Sequence, residues 1–61
     1  MIFETYKDTA GKHRFRLKAA NGEIVATGED YENRSDMIDT INAIKRGAPH
    51  AKIQDLDKVE D

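Results

Sequence analysis

The sequence feature that most constrains this fold is an Asn21-Gly22 pair between two segments of alternating character. Asn-Gly favours a two-residue type I′ turn, because both central residues of that turn need positive φ. Counting outward from such a turn predicts a β-hairpin with one apolar and one basic face. The predicted pairs are Ala20–Glu23, Ala19–Ile24, Lys18–Val25, Leu17–Ala26, Arg16–Thr27 and Arg14–Glu29. The predicted apolar face holds Phe15, Leu17, Ala19, Ile24 and Ala26, and the opposite face holds Arg14, Arg16, Lys18 and Glu29.

A further strand is predicted before this hairpin, over residues 1–7, followed by a turn over residues 8–11. Two registers are open for the first hairpin. A five-residue loop sets Phe3 opposite Leu17 and Glu4 beside Arg16, whereas a four-residue loop places Glu4 on the apolar face. The first register is preferred because it pairs opposite charges, and the three strands then form an antiparallel meander.

Residues 33–46 change to a helical period, in which Met37, Ile38, Ile41 and Ile44 form an apolar stripe. The helix is predicted to begin at Asn33 or Ser35, with Asn33 as its N-cap, and to end at Arg46. Gly47 fits the left-handed position that follows a helix, and Pro49 blocks continuation. A short fourth strand is predicted within residues 50–56. The fold class expected is α+β, a β-β-β-α-β unit with the helix packed on the apolar face of the meander.

The chain is close to the lower size limit for a self-sufficient core. It has 61 residues, of which 38% are hydrophobic, and it has no cysteine, so disulfides and thiolate metal sites are excluded. Small scaffolds without such cross-links usually need a partner subunit. We therefore expect an oligomer whose subunit is a single domain, residues 1–55, with a frayed acidic tail at residues 56–61.

Charge gives no global attraction to nucleic acid or to anionic membranes, since ten Lys and Arg oppose twelve Asp and Glu. No stretch has the pattern of a signal peptide or a membrane span, so a cytoplasmic protein without a membrane partner is expected. His13 and His50 stand alone, without a partner at diagnostic spacing. We predict no catalytic, cofactor-binding or metal-binding residue.

One surface nevertheless suggests single-stranded nucleic acid, because cations and an aromatic residue share a strand face. Its members are Tyr6, Lys12, Arg14, Arg16 and Lys18. The alternative interpretation is a solvated face whose cations are neutralised across the strands by Glu4, Glu23 and Glu29. The negative net charge and the single aromatic residue favour this second interpretation.

The sequence also resembles the YegP-like family of short prokaryotic domains of unknown function. The resemblance covers residues 1–55 and is most specific in the string Arg14-Phe15-Arg16-Leu17-Lys18-Ala19-Ala20-Asn21-Gly22. It extends to Tyr6-Lys7-Asp8, Gly11, Tyr31, Ile41, Lys45 and Ala48-Pro49-His50-Ala51. Asp39-Thr40 depart from the Asn-Gly that many members carry before the buried isoleucine.

The resemblance implies that two units join into one sheet and exchange their last strands. For a chain with one unit it implies a homodimer with a swapped C-terminal strand, whose interface includes Ala51, Lys52, Ile53 and Gln54. The family supplies no catalytic or ligand residue to carry over. The function expected is a small non-catalytic homodimeric binding or scaffolding module, and the alternative is single-stranded nucleic-acid binding.

Overall fold

Among the residues that the structure describes, three antiparallel strands and one helix make up the fold. The computed structural model describes residues 1–57. The strands are β1 (Ile2–Lys7), β2 (His13–Lys18) and β3 (Ile24–Thr27), in the order β1-β2-β3, and they are followed by α1 (Arg34–Gly47) and a 3₁₀ turn (Ala48–His50). The predicted α+β class and the meander are confirmed. Most of the tail predicted to be frayed, residues 58–61, lies outside the described residues.

The first hairpin has the preferred register. Phe3 lies opposite Leu17, Glu4 opposite Arg16 and Thr5 opposite Phe15, which leaves a loop of residues 8–12. The Asp8 carboxylate organises that loop by accepting backbone hydrogen bonds from Ala10 at 2.9 Å and Lys12 at 3.0 Å. Gly11 takes a φ of 79°, a value that glycine adopts without steric cost.

The second hairpin corrects the predicted type I′ turn. Gly22 has a φ of 89°, but no non-glycine residue within 1–57 has positive φ, so Asn21 does not take the conformation that a type I′ turn requires. Instead Gly22 N–H donates to the Ala19 carbonyl at 2.9 Å, and Ala19 N–H donates to the Glu23 carbonyl at 2.8 Å. These bonds describe a three-residue loop in which a turn is followed by a left-handed glycine.

The longer loop changes the pairing near the turn. Lys18 pairs with Ile24 rather than with Val25, while Leu17–Ala26 and Arg16–Thr27 pair as predicted. Val25 is the extra residue of a β-bulge between them, and the bulge restores the predicted register beyond it. The prediction that Ile24 lies opposite Ala19 on the apolar face is therefore wrong. Ile24 stays 52% exposed.

The core lies between β2 and α1. Phe15, Met37 and Ile41 are its buried side chains, and Phe3, Tyr31, Ile38 and Ile44 pack around them. The Phe3 ring meets the Phe15 ring edge-on at 5.9 Å, and the Tyr31 ring stacks on it at 6.4 Å. The helical stripe predicted from the sequence thus supplies the helix's side of the core.

Both ends of α1 differ in detail from the prediction. Asn33 is the N-cap residue, as predicted, but its side chain makes no capping hydrogen bond. Gly47 does not take a left-handed conformation, because α1 continues into the 3₁₀ turn and Gly47 keeps a helical φ of −94°. Pro49 lies in the first positions of that turn, where a missing N–H costs nothing.

The described residues 51–57 form no strand with this chain's own sheet.

Candidate functional sites

The basic strand face is organised around one carboxylate. Glu4 faces Arg16 across the first hairpin, and its Oε1 accepts from Arg16 Nε at 2.7 Å while its Oε2 lies 3.6 Å from Lys18 Nζ. The hydrogen bond from Arg16, aided by the positive charges of Arg16 and Lys18, lowers the pKa of Glu4. Two of the predicted nucleic-acid cations are therefore already engaged within the fold.

The aromatic residue of this face is engaged as well. The Arg16 guanidinium lies 5.5 Å from the centre of the Tyr6 ring, a cation–π distance. A nucleic-acid base that stacked on Tyr6 would therefore compete with Arg16 for the ring. The fold thus links these residues in a row, in which Arg16 contacts both Tyr6 and Glu4, and Glu4 also pairs with Lys18.

The other two predicted cations have different partners from those expected. Lys12 pairs with Glu32, which precedes the helix, and the hydrogen bond that Lys12 donates to Glu32 raises the pKa of Lys12. Arg14 Nη2 donates to the Gly28 carbonyl at 3.1 Å. The predicted Arg14–Glu29 pairing is not formed, because the strand register slips again where His13 pairs with Tyr31. Neither Glu23 nor Glu29 makes an ion pair among residues 1–57.

The C-terminal segment predicted as a dimer interface is exposed. All of Ala51, Lys52, Ile53 and Gln54 are exposed, and Ala51 begins the segment with extended backbone (φ −69°, ψ 139°). Ile53 is 99% exposed and Leu56 is 84% exposed. These are large apolar side chains that the chain itself leaves in water.

A third feature was not predicted: a pocket between one end of the sheet and the start of α1. It is lined by Thr5, Tyr6, Lys7, His13, Arg34 and Met37 and has a volume of about 210 Å³. One part of this pocket can be predicted from the sequence. Lys7 and His13 form the pair nearest the loop of the first hairpin, and they lie on the face that also carries Phe15. Arg34 could be added only once the path of the chain from β3 to α1 was known.

Two kinds of site are absent from residues 1–57. No cluster of three or more His, Cys, Asp or Glu side chains is placed to hold a metal ion. The helix, with 14 residues, is too short and too polar to cross a bilayer.

Comparison with known proteins identifies the family. Residues 8–55 match the model of a domain of unknown function, DUF1508. A UPF0339 protein of Treponema denticola is 44% identical over 54 residues, which is 88% of this chain and 93% of that protein. A UPF0339 protein of Stutzerimonas stutzeri is 43% identical over 47 residues, or 77% of this chain but 42% of that protein.

A solved structure supports the fold. The solution structure of a protein from Haloferax volcanii superposes with a TM-score of 0.77 at 38% sequence identity, covering 88% of this chain and 92% of that one. The resemblance drawn from Arg14–Gly22 to short prokaryotic domains of unknown function is confirmed. The chain belongs to the DUF1508 family, for which no function is defined.

Proposed function

We propose that this protein is a small non-catalytic binding or scaffolding module that works as a homodimer, in which residues 51–54 of each chain pair with the sheet of the other. The observation that carries the proposal is the exposure of Ile53, at 99%, in a chain that buries only Phe15, Met37 and Ile41 among its described hydrophobic side chains. An exposed segment that carries Ile53 next to so small a core is well suited to complete another chain's sheet.

The surface of the isolated chain supports this proposal. Its accessible area is 5211 Å², whereas a compact protein of 6.9 kDa exposes about 4,000 Å². Its radius of gyration is 14.4 Å, whereas about 10.5 Å is usual for a compact chain of this length. The excess surface is of the size that a subunit interface would cover.

The relative from Stutzerimonas stutzeri adds a second line of support. This chain matches only 42% of that protein, which leaves room for a second unit of the same size. A two-unit chain and a dimer of one-unit chains are equivalent ways to bring two such sheets together. For one-unit chains, exchange of an identical element between protomers is a low-cost route to a dimer.

The test is the mass of the protein in solution. Light scattering during size-exclusion chromatography should give about twice the chain mass of 6.9 kDa. Ile53→Asp should convert the dimer to monomer or weaken it strongly, because a charge replaces an apolar contact. Gln54→Asp is the matched control, since it adds the same charge at the next position, whose side chain points to the other side of an extended segment.

Two results would reject the model. One is a monomeric mass for the unaltered protein at micromolar concentration. The other is equal weakening by Ile53→Asp and Gln54→Asp, which would mean that added charge alone, and not the apolar contact of Ile53, controls assembly.

Single-stranded nucleic acid binding through Tyr6, Lys12, Arg14, Arg16 and Lys18 is the weaker proposal. Tyr6 is 38% exposed, which leaves one edge of a stacking ring in solvent. Against it, Glu4 holds two of the cations and Glu32 holds a third. Fluorescence anisotropy with a short labelled oligonucleotide at low salt tests it. Binding that Glu4→Gln strengthens would support this function, and no binding at high micromolar protein would end it.

A further inference from the structure

The inner face of the sheet changes its chemistry at one end. Along β1 and β2 the residues on this face are paired in rows, first Phe3 with Leu17 and then Thr5 with Phe15. These rows are apolar or nearly so. The next row pairs Lys7 with His13, so the face that holds the core ends in a lysine and an imidazole.

The start of α1 closes this end into a pocket. Arg34, the first residue of α1, and Met37, one turn later, line it from the helix side. Met37 is 1% exposed, so packing in the core holds its side chain in place. The side chains of Thr5, Lys7, His13 and Arg34 carry hydrogen-bond donors, and Tyr6, whose ring lies beside Arg16 on the other face of the sheet, completes the lining.

The positive charge of this pocket is not compensated by its own walls. No carboxylate lines it, and among residues 1–57 neither Lys7 nor Arg34 makes an ion pair. Lys12, Arg16 and Lys18, by contrast, are each paired with a glutamate. In a chain with a formal charge of −2, a pocket whose charged lining residues, Lys7 and Arg34, are both cationic is a local exception.

The helix start adds to the same potential. The positive end of the α1 dipole lies beside Arg34, and the side chain of Asn33 leaves the first N–H groups of the helix uncapped. Asp36 is the acidic residue of the first turn, but the Asn33 side-chain amide contacts it at 3.4 Å and it does not line the pocket. The cations that do line the pocket, Lys7 and Arg34, come from β1 and α1.

We propose that this pocket binds a small oxyanion group, either a phosphate or a carboxylate. Arg34 and Lys7 would provide the charge-assisted hydrogen bonds, and His13 and Thr5 would add donors from the sheet. Its volume of about 210 Å³ lies below the range usual for larger organic ligands, so it suits a single anionic group with a short attachment. The site lies within one chain and does not depend on the proposed dimer.

Titrations followed by amide NMR spectra test this directly on the full chain. Inorganic phosphate and succinate are added separately, with sodium chloride at matched ionic strength as the reference. We expect saturable shifts that concentrate at Lys7, His13 and Arg34, with a dissociation constant in the millimolar range or tighter. The anion with the lower dissociation constant identifies the chemistry of the group.

Variants separate a site from general charge attraction. Arg34→Gln should weaken binding about tenfold, because it removes a charged donor. Arg46→Gln removes the same charge from the last turn of α1, away from the pocket, and should leave binding nearly unchanged. The spectra also show whether each variant is folded.

The proposal fails in any of three outcomes. The first is the absence of saturable shifts with both anions. The second is a set of shifts centred on Arg16 and Lys18 instead of the pocket residues. The third is equal weakening by Arg34→Gln and Arg46→Gln.

Discussion

Gly28 makes room for the ring of Phe15, the aromatic residue at the centre of the core. Its backbone N–H donates to the Phe15 carbonyl at 3.0 Å, which holds the two residues side by side across β2 and the end of β3. A Cβ built on Gly28 would overlap the carbons of the Phe15 ring. Glycine is required here by a close approach and not by an unusual φ, a known use of glycine beside a strand.

Replacing Gly28 by alanine should therefore destabilise the protein. The Phe15 ring is 4% exposed and packed between Phe3 and Tyr31, so it cannot move aside freely. We expect Gly28→Ala to lower the free energy of unfolding by about 1–3 kcal/mol, as overpacking usually does. Chemical denaturation at one fixed protein concentration measures this.

Gly47 provides a control of opposite sign. It has helical backbone, and nothing lies within 4 Å of a Cβ placed on it. Gly47→Ala should raise the free energy of unfolding by about 0.4–1 kcal/mol, because the unfolded chain loses freedom. Similar effects of the two substitutions would show that backbone entropy, and not contact with Phe15, governs position 28.

Truncating Met37 should have the largest effect of any helix substitution. Met37 is the most buried residue of α1. Met37→Ala should cost about 2–5 kcal/mol, which is comparable to the total stability of about 3–9 kcal/mol usual for a domain of this length. Met37→Leu keeps the volume and should cost less than about 1.5 kcal/mol. Thermal and chemical denaturation compare them, and equal losses would argue against a tightly packed Met37.

Asn21 and Gly22 in the β2–β3 loop should respond unequally to alanine. Gly22 has a φ of 89°, so Gly22→Ala should cost about 1–2 kcal/mol. Asn21 does not have positive φ, and its side chain accepts one exposed hydrogen bond from Glu23 N–H at 3.0 Å. Asn21→Ala should therefore cost less than about 1 kcal/mol. If denaturation gave equal losses of stability for the two substitutions, the result would favour the type I′ turn, in which both residues have positive φ.

Stability in acid should depend on Glu4. Arg16 lowers the pKa of Glu4 in the folded state below its ordinary value of 4.5. The unfolded chain therefore binds this proton more readily, and the stabilising contribution of Glu4 is lost as pH falls below 4.5 and through the lower folded value. Glu4→Gln should flatten this part of the curve when free energy of unfolding is measured against pH.

Glu23→Gln is the matched control for that experiment. Glu23 is exposed and makes no ion pair within residues 1–57. Its substitution removes one carboxylate without disturbing the group around Arg16. A flattening as large as that of Glu4→Gln would show that total charge, and not the Glu4–Arg16 contact, sets the acid sensitivity.

The sequence predicts a structural feature correctly where two independent sequence patterns require the same arrangement. Phe3 opposite Leu17 follows from a loop length that also pairs Glu4 with Arg16, and the stripe through Met37 and Ile41 follows from helical spacing. The Asn21-Gly22 turn was not determined in this way. Asn-Gly fits both a two-residue and a three-residue loop, and the bulge at Val25 absorbs the difference without moving Leu17 from Ala26.

Candidate sites were less predictable because their contacts cross between elements. Glu4 was placed beside Arg16 because both lie on paired strands. The Lys12–Glu32 pair joins two connecting segments, whose path no periodicity fixes. The pocket was missed because Lys7 and His13 belong to the sheet while Arg34 comes from the helix.

The unbroken passage from α1 through Gly47 into the 3₁₀ turn has a consequence for how the chain chooses its partner. A left-handed glycine after α1 would reverse the chain and could return residues 51–54 to their own sheet. The helical Gly47 and the following Pro49 instead leave a stiff connection that ends at His50. Stiff, short hinges favour exchange between molecules over closure within one. Under the proposed exchange, residues 47–50 determine whether the protein is a monomer or a dimer. Inserting flexible glycine and serine residues into this connection would let the C-terminal segment of each chain pair with its own sheet.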